Sequence, residues 1–252
     1  MREMNNRFFN DHLQLPFIGK RGVDKLKCVR VLVVGAGGLG CPVVSALASS
    51  GIGYIGIVDG DKVEIKNLAR QYLYTPEQAG ELKTAAAVMH LSVRYQDTIF
   101  KEHPFFLDTA NIRPLFSEYD LIVDATDNFP SRLLIGHAGV ELGIPVVYGS
   151  IFRSEVQITV FNYGAQRLAI DDLFALKPAA AGTSCEVSGT YIIGSMVAGM
   201  LMANEVIKVL LDLPNTLAGK LLLFDVLTLQ KQVINFSRRQ SVPEAIVLEA
   251  KL

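Results

Sequence analysis

The chain has 252 residues, half of them hydrophobic, with a mean hydropathy of +0.31 and a formal net charge of −1. This length suits one large α/β core, and the hydrophobic surplus favours a large buried fraction or a subunit interface. Lys plus Arg (24) nearly balance Asp plus Glu (25) and form no long basic run, which argues against nucleic acid or a membrane surface as a partner.

The cysteines and the apolar stretches indicate a reducing environment. The three cysteines have no paired spacing of the kind that holds zinc or forms a disulfide framework. The first residues, MREMNNRFFNDH, contain no apolar secretory core. The most membrane-like stretch, 191–211, contains Asn204, Glu205 and Lys208, which suit a buried helix better than a membrane span. We therefore expect a cytoplasmic protein.

Residues 1–28 mix Phe and Leu with polar residues, and they are predicted to form an amphipathic arm packed on the body or on a partner subunit. The following stretch has the order strand, glycine turn, helix, strand and acid. An apolar run over 31–34 leads into the turn, a helix-compatible segment covers 42–50, and a second apolar run over 54–58 ends at Asp59. The turn glycines are Gly35, Gly37, Gly38 and Gly40.

This pattern predicts nucleotide binding. Glycines let the backbone approach a ligand closely, and a helix N-terminus presents amides to phosphate. Asp59 stands where a carboxylate can accept a ribose hydroxyl. A glycine-rich packing turn in an α/β protein is the alternative.

Beyond Asp59, helices alternate with strands, which predicts a Rossmann-like α/β fold with ligands at the carboxyl ends of parallel strands. The later strands are predicted to extend this sheet in antiparallel orientation. In chain order, the predicted elements are a helix from about Pro76, a helix ending over 112–116, a strand over 121–124, a helix over 130–142 closed by Gly143, a strand over 145–148, a strand over 156–161, an apolar helix over 191–211, and strands over 221–224 and 232–236.

Polar residues follow the predicted strands at what should be one edge of the sheet. Arg70 and Lys83 offer positive charge to a triphosphate, and Asp127 can hold a magnesium ion through one carboxylate. Each has a plain alternative, because most Lys and Arg are surface charges and an Asx residue before a helix commonly caps it. The candidates are Asp59, Asp61, Asn67, Arg70, Gln71, Lys83, Asp127 and Asn128.

A resemblance to a known family rests on motifs that run in order through the chain. The motifs are GAGGLG (35–40), IVDGD (57–61), NLARQYLY (67–74), GELKTAAA (80–87) and DLIVDATDN (120–128). In order and spacing, from about Lys25 to Lys231, the sequence resembles the HesA/MoeB/ThiF family, the bacterial relatives of ubiquitin-activating enzymes.

The resemblance implies an adenylyltransferase. It implies binding of ATP and Mg²⁺, adenylation of the C-terminal Gly-Gly carboxylate of a small ubiquitin-like sulfur carrier, and release of pyrophosphate, in molybdopterin or thiazole (thiamine) biosynthesis. Asp59 would hold the ribose, Asn67, Arg70 and Lys83 the phosphates, and Asp127 the magnesium. The segment 151–161 would lie near the carrier tail, although Val156 stands where the family usually has Gly. Such chemistry needs no general base, because the attacking carboxylate is already ionised.

The resemblance also implies one adenylation domain over 1–252. Its parts would be the arm 1–28, a nucleotide-binding half 29–150 and a carrier-binding and dimer half 151–252, and the apolar arm makes a homodimer the expected assembly. Cys185, in GTSCEVSG, stands where the family often carries a cysteine that in some members traps the carrier covalently. An ordinary small apolar cysteine is the alternative, and adenylation does not require this thiol.

Two departures from the family pattern affect these expectations. The stretches 161–174 and 234–245 lack the zinc-binding CxxC pairs of many members, so no zinc is expected and these loops are predicted to be held by packing alone. Asp11 stands where the family usually has an arginine that reaches a neighbouring subunit's ATP. An anion there cannot stabilise phosphate, and Arg7 or Arg21 are the substitutes that the sequence offers.

Two other classes of function stay open at this point. An NAD-dependent oxidoreductase also fits the glycine turn and Asp59, but no acid–base pair for hydride transfer accompanies them. A non-catalytic carrier-binding module with an activating-enzyme fold would explain Asp11 and the missing zinc cysteines. Carrier-dependent exchange of pyrophosphate into ATP separates all three.

Overall fold

The computed structural model describes residues 9–174 and 189–239. The helices are α1 (Asn10–Gln14), α2 (Gly19–Cys28), α3 (Gly40–Ser49), α4 (Lys83–Arg94), α5 (Ile112–Phe116), α6 (Phe129–Leu142), α7 (Ile170–Leu173) and α8 (Ile192–Leu210). The strands are β1 (Arg30–Val34), β2 (Tyr54–Val58), β3 (Ile99–His103), β4 (Leu121–Asp124), β5 (Val146–Phe152), β6 (Glu155–Phe161), β7 (Lys220–Asp225) and β8 (Gln230–Asn235).

The eight strands of the described residues form one sheet in the order β3-β2-β1-β4-β5-β6-β7-β8. The pairs among β3, β2, β1, β4 and β5 are parallel, whereas β5-β6, β6-β7 and β7-β8 are antiparallel. This arrangement confirms the predicted α/β fold with a parallel sheet extended by antiparallel strands. The direction of winding reverses between β1 and β4, and a ligand crevice forms at such a point beyond the carboxyl ends of the strands.

The central strands carry apolar side chains on both faces of the sheet. Val31 and Val33 of β1 pack into one core with α3, α4 and α8, while Leu32 and Val34 pack into the opposite core with α5 and α6. Parallel strands buried on both faces are continuously apolar, which is why these strands were readable in the sequence.

Two elements differ from the sequence-based expectation. The helix predicted to begin near Pro76 begins at Lys83, and Pro76 instead starts a one-turn 3₁₀ helix over Pro76–Gln78. Strand β3 was not predicted. It is an edge strand with sequence IFKEH, and only His103 is buried, so it lacks the apolar run by which the inner strands were recognised.

The described part of the N-terminal arm, residues 9–28, packs on the body of the molecule, which is one of the two alternatives predicted. Phe9, Ile18 and Val23 form a small apolar cluster that includes Leu211, just beyond α8. Lys25 Nζ lies 2.8 Å from a carboxylate oxygen of Asp212, which joins α2 to the same end of α8. The arm therefore closes over one end of the long apolar helix.

Helix α8 is long and apolar enough to cross a membrane by length and composition alone. Half of the window that meets this criterion is buried inside the molecule, where α8 packs against α3, β5 and β6. Core helices of soluble proteins pass the same test, so this helix is weak support for a membrane span.

The loops at the positions of the missing zinc cysteines are joined by hydrogen bonds as well as by packing, so the expectation of packing alone was wrong. Asp172 accepts from the backbone N–H groups of Ala169 (2.8 Å) and Arg239 (2.9 Å). The Arg238 guanidinium donates to the carbonyl oxygens of Gln166 (3.0 Å) and Arg167 (3.3 Å). Residues 161–174 and 236–239 are thereby tied together without a metal ligand.

Candidate nucleotide and metal site

A cavity of about 230 Å³ lies at the carboxyl ends of β1, β2 and β4. This is the edge at which the sequence predicted the ligand site. Most of the predicted residues line it, namely Gly35, Gly37, Gly38, Asp59, Asp61, Arg70, Gln71, Lys83, Asp127 and Asn128. The backbone and side chains of these residues come from five separate loops and helix starts, which only the folded sheet brings together.

The glycines of the turn divide into two groups. Gly35 has φ +98°, and a Cβ on Gly40 would lie 1.9 Å from the Gly35 carbonyl oxygen, so these two glycines let the turn pack on the start of α3. Gly37 and Gly38 line the cavity, whereas Gly40 does not. Helix α3 begins directly at the turn, so the positive end of its dipole lies beside the cavity.

Asp59 is a rigid carboxylate at the end of β2. It is only 9% exposed, and its two oxygens accept from the backbone N–H groups of Ala36 and Asp61, each at 2.8 Å. A carboxylate has about four lone-pair positions, so each oxygen keeps capacity for one further donor. The geometry suits a carboxylate that accepts a ribose hydroxyl beside the glycine turn.

Lys83 is a buried cation fixed by two carboxylates. Its side chain is 6% exposed, and Nζ lies 2.8 Å from Asp61 and 3.8 Å from Asp59. It is the first residue of α4, and its backbone N–H donates to the carbonyl of Asp61 at 3.0 Å. The structure therefore places the ammonium group firmly at the edge of the cavity.

Arg70 differs from Lys83 in having no fixed partner. Its Cδ passes 3.2 Å from the position of a Cβ on Gly38, and no hydrogen bond or ion pair engages its guanidinium within residues 9–174 and 189–239. Gln71 beside it is 4% exposed, and its Oε1 atom is buried without a hydrogen-bond partner in the described chain. Both side chains are thus available to a ligand in the cavity.

Asn67 does not reach the cavity. Its carbonyl oxygen accepts from the backbone N–H groups of Arg70 (3.1 Å) and Gln71 (3.0 Å), while its side-chain amide contacts Glu64 at 3.3 Å. Its place in this structure is to shape the turn that presents Arg70 and Gln71. The predicted contact of Asn67 with phosphate has no support in this placement.

Asp127 and Asn128 follow β4 and do different things. Asn128 caps α6 by accepting from the backbone N–H of Ser131 at 3.0 Å, the plain role that its position allowed. Asp127 is exposed, and within the described ranges it makes no hydrogen bond or ion pair. It is the free carboxylate at this side of the cavity.

The described residues contain no group of three or more His, Cys, Asp or Glu side chains placed to hold a metal ion. Magnesium commonly takes only one or two protein carboxylates and completes its shell with water and substrate phosphates. One free carboxylate beside a phosphate site therefore fits Mg²⁺ and does not fit an ion held by protein ligands alone.

Several cavity residues were missed in the sequence. Arg132 lies four residues after Asn128 on α6, a spacing that puts both on one face, and it adds a third cation to the lining. Phe105, Phe106 and Leu107 also line the cavity, and Phe106, which is 66% exposed, packs against Gly60 next to Asp59. These aromatic residues follow the unpredicted edge strand β3, which is why the sequence did not place them.

The cysteines, and Asp11, which stands where the family usually has an arginine, complete the comparison with the predicted site. Burial raises the pKa of the Cys41 thiol to about 12, so this cysteine beside the glycine turn is no nucleophile at neutral pH. Cys28, at the end of α2, is exposed. Cys185 and Arg7 lie outside the described residues. Asp11 is an exposed residue of α1 and does not line the cavity of its own chain.

A doubly wound sheet with a glycine turn, an acid after β2 and clustered cations at its crevice defines a nucleotide-binding protein. A family model, that of the ThiF family, matches residues 9–244. The chain belongs to the ThiF family.

Relatives with assigned names are similar over most of the chain. It is 38% identical to a sulfur carrier protein adenylyltransferase of Thermus thermophilus over 240 residues, which cover 93% of this chain and 89% of that protein. It is 37% identical to the probable adenylyltransferase/sulfurtransferase MoeZ of Mycobacterium tuberculosis and 38% identical to MOCS3 of Caenorhabditis briggsae, and it spans only 61% and 54% of their lengths.

Solved structures agree in fold. MccB of E. coli with ATP matches with a TM-score of 0.75 at 20% identity, over 94% of this chain and 79% of that one. PaaA matches with a TM-score of 0.77 at 20% identity, over 93% of this chain and 74% of that one. At this identity the likeness shows a shared fold.

Proposed function

We propose that this chain is an ATP-dependent adenylyltransferase that activates the C-terminal Gly-Gly carboxylate of a small ubiquitin-like sulfur carrier protein. The observation that carries the proposal is the meeting of Arg70, Lys83 and Asp127 beside Asp59 in one cavity at the glycine turn. Membership of the ThiF family and the similarity to a sulfur carrier protein adenylyltransferase support the substrate class.

The roles follow from charge and position. Asp59 accepts the ribose hydroxyls, and the start of α3 with Arg70 and Lys83 faces the phosphates. A carboxylate oxygen of the carrier attacks the α-phosphorus of ATP, an O–P bond forms, and the bond to the bridging oxygen of the β-phosphate breaks, so pyrophosphate leaves with its electron pair. Two anions must approach each other in this step, and cations aimed at the developing charge lower its barrier.

We assign Asp127 as the protein ligand of Mg²⁺, which would neutralise phosphate charge in the bound nucleotide. The carboxylate is exposed and unengaged within the described chain, so it is available to bind an ion that arrives with the nucleotide. No zinc is proposed, because hydrogen bonds through Asp172 and Arg238 join the loops concerned.

We further propose that residues 1–252 work as one adenylation domain in a cytoplasmic homodimer. A single sheet continues from the nucleotide-binding half (29–150) into the carrier-binding half (151–252), which supports one unit. Molybdopterin and thiazole synthesis use the same activation chemistry, so the surface of the carrier distinguishes them.

Mass spectrometry of the carrier after incubation with the protein, ATP and Mg²⁺ tests the proposal. We expect a carrier species heavier by one adenylyl group, and none from a carrier that lacks the final two glycines. Cys185→Ser should leave this product unchanged, because adenylation uses the carrier's own carboxylate. If the intact carrier gains no adenylyl group, the chain is a binding module and the proposal fails.

A further inference from the structure

Thr126, between the end of β4 and Asp127, is held from one side by a buried carboxylate. Asp124 is 1% exposed, and its Oδ1 accepts from the Thr126 backbone N–H at 3.0 Å and from the Thr126 hydroxyl at 2.7 Å. Burial raises the pKa of the Asp124 carboxyl, while nearby Arg132 opposes that change. Burying a carboxylate destabilises the folded state unless hydrogen bonds compensate. We therefore ask why both of these hydrogen bonds come from Thr126.

The same residue is held from the other side by Arg132. Nη2 of Arg132 donates to the Thr126 carbonyl oxygen at 3.0 Å, and Nη1 lies 3.4 Å from the Tyr148 hydroxyl. The guanidinium carbon sits 5.4 Å from the centre of the Tyr148 ring, which fixes its plane. The N–H, the carbonyl and the hydroxyl of Thr126 are thus all engaged.

Stabilisation of the helix start does not account for this arrangement. Asn128 already caps α6, so Asp124 and Arg132 are not needed for that purpose. The residue between the fixed Thr126 and the capping Asn128 is Asp127, whose carboxylate is unengaged within the described chain. The backbone on either side therefore sets the direction of the Asp127 Cα–Cβ bond.

We propose that Asp124 and Arg132 are positioning residues that hold Thr126 so that Asp127 presents its carboxylate to the Mg²⁺ of the bound nucleotide. The proposal rests on the assignment of Asp127 as the metal ligand made above. A preformed loop lowers the cost of ordering the carboxylate when the ion binds, since less backbone freedom is lost at that moment. Loss of this positioning should therefore lower the affinity for the metal ion more than it lowers the free energy of unfolding.

Thr126→Val tests the proposal, because valine keeps the size of threonine and removes only its hydroxyl. Binding of Mn²⁺, measured by electron paramagnetic resonance with a non-hydrolysable ATP analogue, should weaken about 3- to 10-fold, as expected for one lost hydrogen bond. Thr126→Ser restores the hydroxyl and should restore the affinity. Arg132→Lys keeps the charge but loses the planar pair of donors, and it should weaken Mn²⁺ binding in the same direction.

Thr159→Val is the matched control, since the Thr159 hydroxyl also donates to a backbone carbonyl, that of Leu217 at 3.2 Å, away from the cavity. It should lower the unfolding temperature and leave Mn²⁺ affinity unchanged. Wild-type Mn²⁺ affinity in Thr126→Val overturns this proposal alone, even while the wild-type protein forms the carrier adenylate. If the wild-type protein binds no Mn²⁺ with the nucleotide, the metal site and the proposal fall together.

Discussion

At the scale of single residues, the two cations predicted from the sequence turn out to be differently bound. Lys83 is buried between Asp59 and Asp61, so it contributes to the folded state before any nucleotide binds. Arg70 lies along the glycine turn with its guanidinium unengaged among the described residues. Removing the charge of Lys83 should therefore lower the free energy of unfolding more than removing the charge of Arg70.

Replacing each of these cations by methionine separates binding of phosphate from fold stability. We expect both Arg70→Met and Lys83→Met to lower pyrophosphate exchange by about 100-fold or more, because each removes charge that the proposed mechanism directs at the transferring phosphate. Lys83→Met should also lower the free energy of unfolding by about 1–3 kcal/mol, since buried Asp59 loses its nearby cation while Asp61 can turn to water. Arg70→Met should change it by less than about 0.5 kcal/mol.

Chemical denaturation of both variants beside the wild type measures these changes. Equal losses of stability in the two variants would contradict the distinction between a fixed and a free cation.

The residues of the site were predictable where a local pattern carries the chemistry, and not where the fold alone brings them in. The glycine turn and Asp59 follow from spacing within one strand–turn–helix unit. Phe106 could not be foreseen, because its place beside Asp59 depends on the edge strand β3, whose sequence has no buried run. The phosphate contact of Asn67 stays a prediction from its residue type, whereas in the structure its carbonyl oxygen accepts hydrogen bonds that build the turn.

At the scale of elements, the junction of β1, the glycine turn and α3 depends on close backbone contact. A methyl group on Gly40 would lie 1.9 Å from the carbonyl oxygen of Gly35, and that atom belongs to the backbone and cannot rotate away. A methyl group on Gly37 would meet the end of the Gln71 side chain at 3.6 Å, an ordinary contact.

Gly40→Ala should therefore lower the free energy of unfolding by about 1–3 kcal/mol or more, because the start of α3 must move away from the turn. Gly37→Ala is the matched control in the same turn, and it should stay within about 0.5 kcal/mol of the wild type. Urea denaturation compares the two. A Gly40→Ala protein as stable as Gly37→Ala would show that this helix start has more room than the structure gives it.

The loops that replace the family's zinc-binding segments show a second element-scale device. Asp172→Ala removes the acceptor of two backbone N–H groups, so we expect a loss of about 0.5–2 kcal/mol in the free energy of unfolding, as for a helix cap. Asp171→Ala, which removes only a surface pair with His137, should have little effect.

A chelator should leave the unfolding temperature of the wild-type protein unchanged, because the described hydrogen bonds join these loops and no zinc site is proposed there. A chelator-induced drop in that temperature would contradict this account and indicate a structural metal.

At the scale of the whole molecule, the sequence predicted the sheet well because its inner strands are apolar on both faces. The alternation of strands and helices indicated the parallel half, and the change of this pattern after residue 150 indicated the antiparallel extension. The edge strand β3 and the hydrogen-bonded loops around Asp172 were not predicted, because neither has a periodic pattern of hydrophobic residues in the sequence. Long-range partners of this kind are decided by the fold as a whole.

Assembly is also a property of the whole molecule. The predicted homodimer follows from the apolar arm, part of which packs in its own chain, where Phe9 and Ile18 belong to a cluster with Leu211 just beyond α8. Phe17 on the same arm is 59% exposed, so apolar surface remains available for a second copy.

Exchange of labelled pyrophosphate into ATP tests the central claim most directly, because it reports reversible formation of the adenylate at this site. The account predicts exchange only when Mg²⁺ and a carrier ending in Gly-Gly are both present. It predicts that Asp127→Ala abolishes exchange with an unchanged unfolding temperature, because Asp127 is exposed and contributes no described hydrogen bond. Absence of exchange with the intact carrier, or normal exchange in Asp127→Ala, would contradict it.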